Sequence, residues 1–297
     1  MKAIGLALAP RTRKGYAAVS MEFNDFRQKF GLGQIWPAPI EHLQQFMVHL
    51  NRKGLAPGTI QGRLSAIAYF AKINGFRDHT GDFRIRKMLE GWSRERGRKQ
   101  DDRTPISPQL LERICGTWVL LCRDSYEIAL FKAASLITFF GALRISEVVA
   151  SGKEDRSRVA LQWQDVTVLD GKVQIFIRRS KADQKGKGIR VELGQCSIGD
   201  ICPVKATQMY LEVRGSGTGY FFQHTDGSPL TRFQFWKLTD LALNKVGVTG
   251  LKFGTHSFRI GAASTAAALG YSSDEIKRLG RWSSDCFRRY VRTLPNV

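Results

Sequence analysis

The sequence predicts a mainly α-helical chain with one small antiparallel β-sheet set among the helices, an α+β fold in two domains. Three observations point there. Apolar residues recur every three or four positions over residues 1–97, a charged stretch without periodicity follows at 98–106, and alternation with period two surrounds an Asp-Gly pair at 170–171. The expected organisation is a helical domain over 1–97, a linker over 98–106 and a second domain over 107–297.

In the first domain Tyr16, Val19, Phe23, Phe26 and Phe30 make one apolar stripe, Ile40, Leu43, Met47 and Leu50 a second, and Ile60, Leu64, Ile67 and Phe70 or Ala71 a third. Helix breaks fall at "FGLGQIWPAP", "GLAPG" and "NGF". Ile85, Met88, Leu89 and Trp92 mark a further helix, so this domain is read as four or five helices. Next comes "SRERGRKQDDRTPIS", which ends in Ser107 as an N-cap before Pro108 at the first helical position. After two more helical segments the period changes. Val159, Leu161 and Trp163, then Val166 and Val168, lead to the Asp170-Gly171 turn, with Val173, Ile175 and Ile177 beyond it and Ile189, Val191 and Leu193 in a third run. Three antiparallel strands are expected, with helices again from Pro203. Trp92, Trp118, Trp163 and Trp236 are read as core residues, and His42 and His49 as helix-surface residues.

The chain carries 46 Lys and Arg against 26 Asp and Glu, a net charge of +20 shared between its two parts, and such an excess points to a polyanionic partner. No stretch approaches the roughly 20 apolar residues of a membrane span, and no lipidation motif or basic amphipathic helix is visible, so nucleic acid is favoured over a membrane surface. The apolar run at 4–9 is too short for a secretory signal, and no export is expected. Five cysteines form no CxxC pair and lie near no histidine cluster, which argues against zinc and against disulfides.

Five separated features bear on chemistry. "FFGALRISEVVA" places Arg144 and Glu147 three apart after a Gly141 turn; "RRSKADQKGKG" holds Lys181 in a strand connection; "GTHSFRIGAAST" holds His256 and Arg259; "LGRWSSDCFRRY" supplies Gly280 to Trp282 and ends in Tyr290. Taken singly, each has an ordinary structural explanation: an intrahelical pair, a solvated basic turn, a capping histidine.

Taken together and in order, they resemble the tyrosine recombinases, the phage integrase family, over nearly the whole chain. "GALRISE" is similar to the family's first arginine box, "HSFR" to its His-x-x-Arg box, and "LGRWSSDCFRRY" to the segment ending in the nucleophilic tyrosine. "KGLAPGTIQGRLSAIAYFAKINGF" is similar to the DNA-facing helix of the family's core-binding domain, and the C-terminal wording most resembles recombinases of eukaryotic mobile elements of the DIRS, Ngaro and Crypton kinds.

The resemblance implies a helical core-binding domain, a tyrosine-recombinase catalytic domain, and cleavage of DNA through a 3′-phosphotyrosyl link. Arg144 and Arg259 would stabilise the charge that gathers on the nonbridging oxygens, a task suited to two planar, permanently charged forks. Tyr290 would attack phosphorus; its hydroxyl, with a reference pKa of about 10, needs proton removal or nearby cations, and Arg288, Arg289 and Arg292 flank it in sequence. Lys181 would protonate the leaving 5′ oxygen, His256 would donate to the phosphate or assist proton transfer, and Glu147 would orient a donor without touching DNA. Thr59 and Arg63 would contact DNA.

Many relatives carry a His or Trp nine residues before the nucleophile. Here Arg281 stands nine before Tyr290 and Trp282 eight before it, so either Trp282, as an indole N–H donor, or Arg281 fills that place. Seven residues follow Tyr290, where many relatives continue into a helix that docks on a neighbouring subunit. No metal, nucleotide or other cofactor is called for, since the phosphotyrosine conserves the bond energy. The partners implied are double-stranded DNA and further copies of the chain, four on two DNA sites, located in the nucleus if the source is a eukaryotic element and otherwise in the cytoplasm. The competing readings are a domesticated DNA-binding protein without chemistry and a topoisomerase of type IB.

Overall fold

The structure is a computed structural model, and it describes residues 7–97, 101–155, 157–179, 187–196 and 200–295. The chain divides into two compact units, Met1–Asp101 and Asp102–Val297.

The first unit holds four described helices, α1 (Pro10–Lys29), α2 (Ile40–Arg52), α3 (Pro57–Ile73) and α4 (Phe83–Glu95). Their apolar stripes meet in one core around Phe23, Phe46, Leu50, Ile60, Leu64 and Ile85. Proline opens α3 at its first turn, where a missing N–H costs nothing, and Asp82 caps α4 by accepting the Arg84 N–H at 2.9 Å. α1 ends one residue before Phe30, which is therefore left 51% exposed although it continues the stripe in sequence. Arg27 is fully buried between the rings of Phe23 and Trp36, with Nη1 on the Ile35 carbonyl at 3.0 Å and Nη2 on Asn24 at 2.7 Å. His42 and His49 are half-buried rather than on the surface: His49 packs on Phe26 and Phe30, and burial pushes both imidazoles below the usual histidine range. Helix α4 runs on through Ser93–Glu95, which in sequence already look like linker.

The second unit is built on α5 (Pro108–Leu121), α6 (Ser125–Phe140) and α8 (Pro203–Arg214), with the one-turn α7 (Ile145–Val148) between α6 and the sheet. Ser107 caps α5, its Oγ accepting the Leu110 N–H at 3.1 Å. α6 is buried on nearly every side, which accounts for its almost unbroken apolar sequence. The sheet has the order β1 (Val166–Leu169), β2 (Lys172–Ile177), β3 (Ile189–Leu193), all antiparallel, with Val168 opposite Val173 and Ile175 opposite Val191. Asp170 and Gly171 both take positive φ, +50° and +67°, the two-residue hairpin that matches strand twist. Val173, Ile175 and Ile177 face the core. The alternation at Val159, Leu161 and Trp163 forms no strand. The Leu161 N–H is taken by the Glu147 carbonyl at 2.9 Å, and 163–165 close into a 3₁₀ turn through Asp165, which accepts the Gln162 N–H.

α9 (Arg232–Lys245), α10 (Ser257–Ala268) and α11 (Ser273–Gly280) follow, and a 3₁₀ turn at Asp285–Arg289 closes the described chain. Ala263, Ala266, Ile276, Trp282 and Phe287 make a separate small core at this end. Trp118 is fully buried, whereas Trp92, Trp163 and Trp236 lie partly buried against the two larger cores. Thr104 and Ile106, in the stretch read as linker, are built into this unit: the Thr104 N–H bonds the Lys252 carbonyl at 2.6 Å, and the Ile106 N–H bonds the Ser257 carbonyl at 3.1 Å. All five cysteines are free thiols. No helix among the described residues is long and apolar enough to cross a membrane.

Candidate active site

The first wall of the site is the turn after α6. A Cβ at Gly141 would lie 2.9 Å from the Ile137 carbonyl oxygen and 2.9 Å from Leu143 Cγ, so only glycine lets the chain leave the helix this tightly. Ala142 follows in the left-handed region at φ +42°, and Arg144 then opens α7 as its N-cap residue. Arg144 is bound twice to Glu147: its backbone N–H donates to Oε2 and its Nη1 to Oε1, both at 2.9 Å. The Glu147 side chain is 2% exposed and that of Arg144 21%, and Nε and Nη2 of Arg144 bond no described residue. The carboxylate holds one edge of the guanidinium and leaves the other for a ligand.

The second wall is α10. Its small residues have specific duties: a Cβ at Gly261 would collide with the backbone of Ile106, and Ser264 Oγ donates to the Tyr290 carbonyl at 3.1 Å while accepting the Arg292 N–H at 3.0 Å. Arg259 is 1% exposed. Its Nη1 donates to the Ala142 carbonyl and its Nη2 to the Gly280 carbonyl, and its guanidinium lies 4.3 Å over the Trp282 ring. One side chain thus joins the Arg144 turn to the end of α11.

Tyr290 follows the last 3₁₀ turn, half-buried, with its ring 5.0 Å from Trp282 and 5.6 Å from the guanidinium carbon of Arg259. Its sequence neighbours turn elsewhere. Arg288 pairs with Asp285 at 3.8 Å, and Arg292 donates to the carbonyls of Arg103 and Arg289. The cation facing the Tyr290 ring is Arg259, from a distant part of the sequence.

Arg281 leaves α11 in the left-handed conformation, φ +56° and ψ +44°, and points inward, its side chain 7% exposed. Nη1 donates to the Gly141 carbonyl at 3.0 Å, and Nη2 to Glu147 Oε2 at 3.0 Å and more weakly to the Ala142 carbonyl at 3.4 Å. Trp282 is buried in the small core, its ring filling the space that a side chain at Gly280 would take.

The electrostatics are those of an anion site. His256, at the head of α10, is half-buried, and burial first, then Arg103, Arg232, Arg259 and Arg144, push its imidazole below the usual histidine range. Burial and the like charges of Arg144 and Arg281 lower Arg259 as well. Beside His256 a cleft of about 430 Å³ opens between Arg103, Arg232, Phe233, Trp236 and Thr255. Among the described residues no group of three or more His, Cys, Asp or Glu could hold a metal ion.

Arg144, Glu147, Arg259, Arg281, Trp282 and Tyr290 therefore converge on one place, with His256 in electrostatic reach. Lys181 lies outside the described residues. In the first unit, Thr59 is exposed on α3, and Arg63 pairs with Glu22 through Nε at 2.8 Å. Sequence reasoning missed Ser264 and Gly261 as supports of the site; their signal was the run of small residues that follows Arg259.

No family model matches the chain. It is similar to an integrase/recombinase XerD homolog of Selenomonas ruminantium, with 28% identity over 298 residues that cover 95% of this chain and 82% of the relative. Among solved structures, the XerH site-specific recombinase bound to its difH substrate in a pre-cleavage complex matches with a TM-score of 0.65 at 17% identity, covering 95% of this chain and 76% of that one. The integrase of the Tn1549 transposon in complex with transposon right end DNA matches with a TM-score of 0.64 at 14% identity, covering 97% and 91%. At these identities the two structures speak for a shared fold.

Proposed function

We infer from its membership of the tyrosine recombinase family that this chain is a site-specific DNA recombinase, cutting and rejoining strands through Tyr290. The observation that supports this best is the double engagement of Arg259, bonded to the Ala142 carbonyl beside Arg144 and stacked toward Tyr290. It brings Arg144 and Tyr290 into one corner, which supports their reading as phosphate clamp and nucleophile, since preorganised donors are worth most there.

In this reading the open edge of Arg144, together with Arg259, neutralises the nonbridging oxygens of the scissile phosphate. The Tyr290 hydroxyl releases its proton to the His256 imidazole or to water as its oxygen bonds to phosphorus, the phosphorus–O5′ bond breaks, and a 3′-phosphotyrosyl link stores its energy. The leaving O5′ takes a proton from Lys181 and becomes a hydroxyl; a 5′ hydroxyl from a partner strand reverses the steps. His256, pushed below the usual histidine range by burial and then by the surrounding arginines, shares in the proton transfers or donates one hydrogen bond to the phosphate. Glu147 and Trp282 hold Arg144 and Arg259 in place. Thr59 and Arg63 contact the duplex, the Arg63 ion pair using only Nε and leaving its other donors for a backbone phosphate. Double-stranded DNA is the partner, four copies act on two sites, and the process served is integration or excision of a mobile element, in the nucleus for a eukaryotic source.

The test is to trap covalent adducts on a library of nicked duplexes and sequence the cleaved ends. Wild type gives adducts at a defined sequence, and Tyr290→Phe binds the same DNA without any. Adducts that persist on Tyr290→Phe put the nucleophile elsewhere; none from wild type refutes strand cleavage. On the recovered site, Lys181→Ala cleaves poorly until the bridging 5′ oxygen is replaced by sulfur, a leaving group that needs no acid. Equal impairment on both substrates removes Lys181 from that role.

A further inference from the structure

Arg281 occupies the position nine before Tyr290, yet both Nη atoms of its guanidinium are taken up by oxygens of the protein itself. Three carbonyl or carboxylate oxygens, those of Gly141, Ala142 and Glu147, receive its Nη donors, and it is almost wholly buried. Glu147 is shared. Oε1 takes Arg144 Nη1, while Oε2 takes both the Arg144 N–H and Arg281 Nη2. One buried carboxylate therefore stands between two guanidiniums, one with an open edge and one whose Nη donors are taken inside the protein, with only its Nε left unpartnered and buried.

We propose that Arg281 is a positioning residue that acts on the reaction through Glu147 and Arg144, in place of a side chain that touches the phosphate. A carboxylate buried beside one cation can rotate or take up a proton; a second cation on its other oxygen fixes both its charge and its plane. Because Arg281 begins the segment that ends in Tyr290 and its Nη1 holds the Gly141 carbonyl, the same side chain ties the nucleophile's segment to the turn that aims Arg144. The left-handed backbone at Arg281 is what allows this. A residue at φ +56° directs its side chain back across the end of α11, toward the α6–α7 turn, and φ in that region is costly for a non-glycine residue unless its contacts hold it there.

The inference rests on Arg144 serving as a phosphate donor, so the test runs on the DNA site recovered by adduct sequencing. Single-turnover cleavage is measured for wild type, Arg281→Met, Arg281→Lys, Glu147→Gln, Arg144→Ala and the Arg144→Ala/Arg281→Met double variant. The substrates are an ordinary scissile phosphate and one whose nonbridging oxygen is replaced by methyl, which removes the charge Arg144 neutralises. Arg281→Met is expected to slow the ordinary substrate about 10- to 100-fold, the range for a residue that orients a ligand-binding group. It adds nothing on the Arg144→Ala background and slows the methylphosphonate no more than about twofold. Arg281→Lys, with one donor direction instead of a fork, falls between wild type and Arg281→Met.

Multiplying effects of Arg144→Ala and Arg281→Met would make Arg281 an independent phosphate ligand and overturn the proposal. Equal slowing of both substrates would reduce Arg281 to a general support of the fold and overturn it as well. Absence of any wild-type adduct would remove the reading of the site on which the proposal stands.

Discussion

Replacing Gly141 by alanine tests whether the α6–α7 turn sets the aim of Arg144. The new Cβ would meet a backbone oxygen and Leu143 Cγ, each at 2.9 Å, where ordinary van der Waals contact begins at 3.4 Å, so the turn must shift by about 0.5 Å. The oxygen cannot yield cheaply: the Ile137 carbonyl accepts the Gly141 N–H at 3.1 Å, and the Gly141 and Ala142 carbonyls are held by Arg281 and Arg259. Overpacking of this kind costs about 1–3 kcal/mol, and the better helix propensity of alanine regains little beyond the last helical residue. For a unit of this size that lowers the melting temperature by about 2–4 °C per kcal/mol. A misplacement of about 1 Å costs roughly 10²-fold in rate, so half of that predicts a loss of about 10-fold in cleavage, with DNA affinity unchanged because no charge is lost. Gly116→Ala is the control. It lies in α5 with open space around the Cβ position, and it should stabilise the unit by up to about 1 kcal/mol and leave cleavage alone. Thermal melts and single-turnover cleavage of the two variants decide the matter. A Gly141→Ala protein that melts with wild type and cleaves at its rate would mean that this turn does not constrain Arg144.

Arg144→Ala and Arg259→Ala are each expected to slow cleavage about 10²-fold or more, and both should lower the melting temperature, the first by taking one cation from the buried Glu147 carboxylate and the second by removing the donors of the Ala142 and Gly280 carbonyls; a variant that melts with wild type would contradict the role of its contacts. His256 has its folded pKa depressed below the ordinary 6.5, so the unfolded chain binds more protons and stability rises with pH across the interval between the two values. Denaturant titrations should therefore show stability lost as pH falls from about 6.5 toward the lower folded value, with the slope reduced in His256→Gln; an unchanged slope would place the titration elsewhere. DNA affinity should fall by about 10³-fold or more between 50 and 200 mM salt if six or more phosphates are neutralised, and a flat profile in a filter-binding series would exclude a basic clamp.

The helices were legible where burial is one-sided. Ile40, Leu43, Met47 and Leu50 keep the helical repeat because α2 buries a single stripe, and the Asp170-Gly171 hairpin was legible because its two positive φ angles select those residues. Val159, Leu161 and Trp163 show the limit: alternation marks residues facing a core in turn, but the Leu161 N–H is claimed by Glu147 and the pairing with 219–221 stops at the single bridge of Gln162 with Tyr220. At the site, residue types and order suggested Arg144, Arg259 and Tyr290 as a group. The partners of each were not legible, since Arg288 and Arg292 stand two residues to either side of Tyr290 yet bond elsewhere, while Arg259 reaches its ring from a helix far back in the sequence. The inward turn of Arg281 depends on one left-handed residue, which no propensity of arginine announces.

The irregular stretch by which the chain enters the second unit has a mechanical meaning. Its backbone is pinned at Thr104 to Lys252 and at Ile106 to Ser257, the Arg103 carbonyl is gripped by Arg292 two residues past Tyr290, and the Ile106 carbonyl rests in the notch left by Gly261. A change that loosens residues 103–106 is thus felt at once by the helix of Arg259 and by the tail that follows Tyr290, two parts of the sequence that lie far apart along the chain.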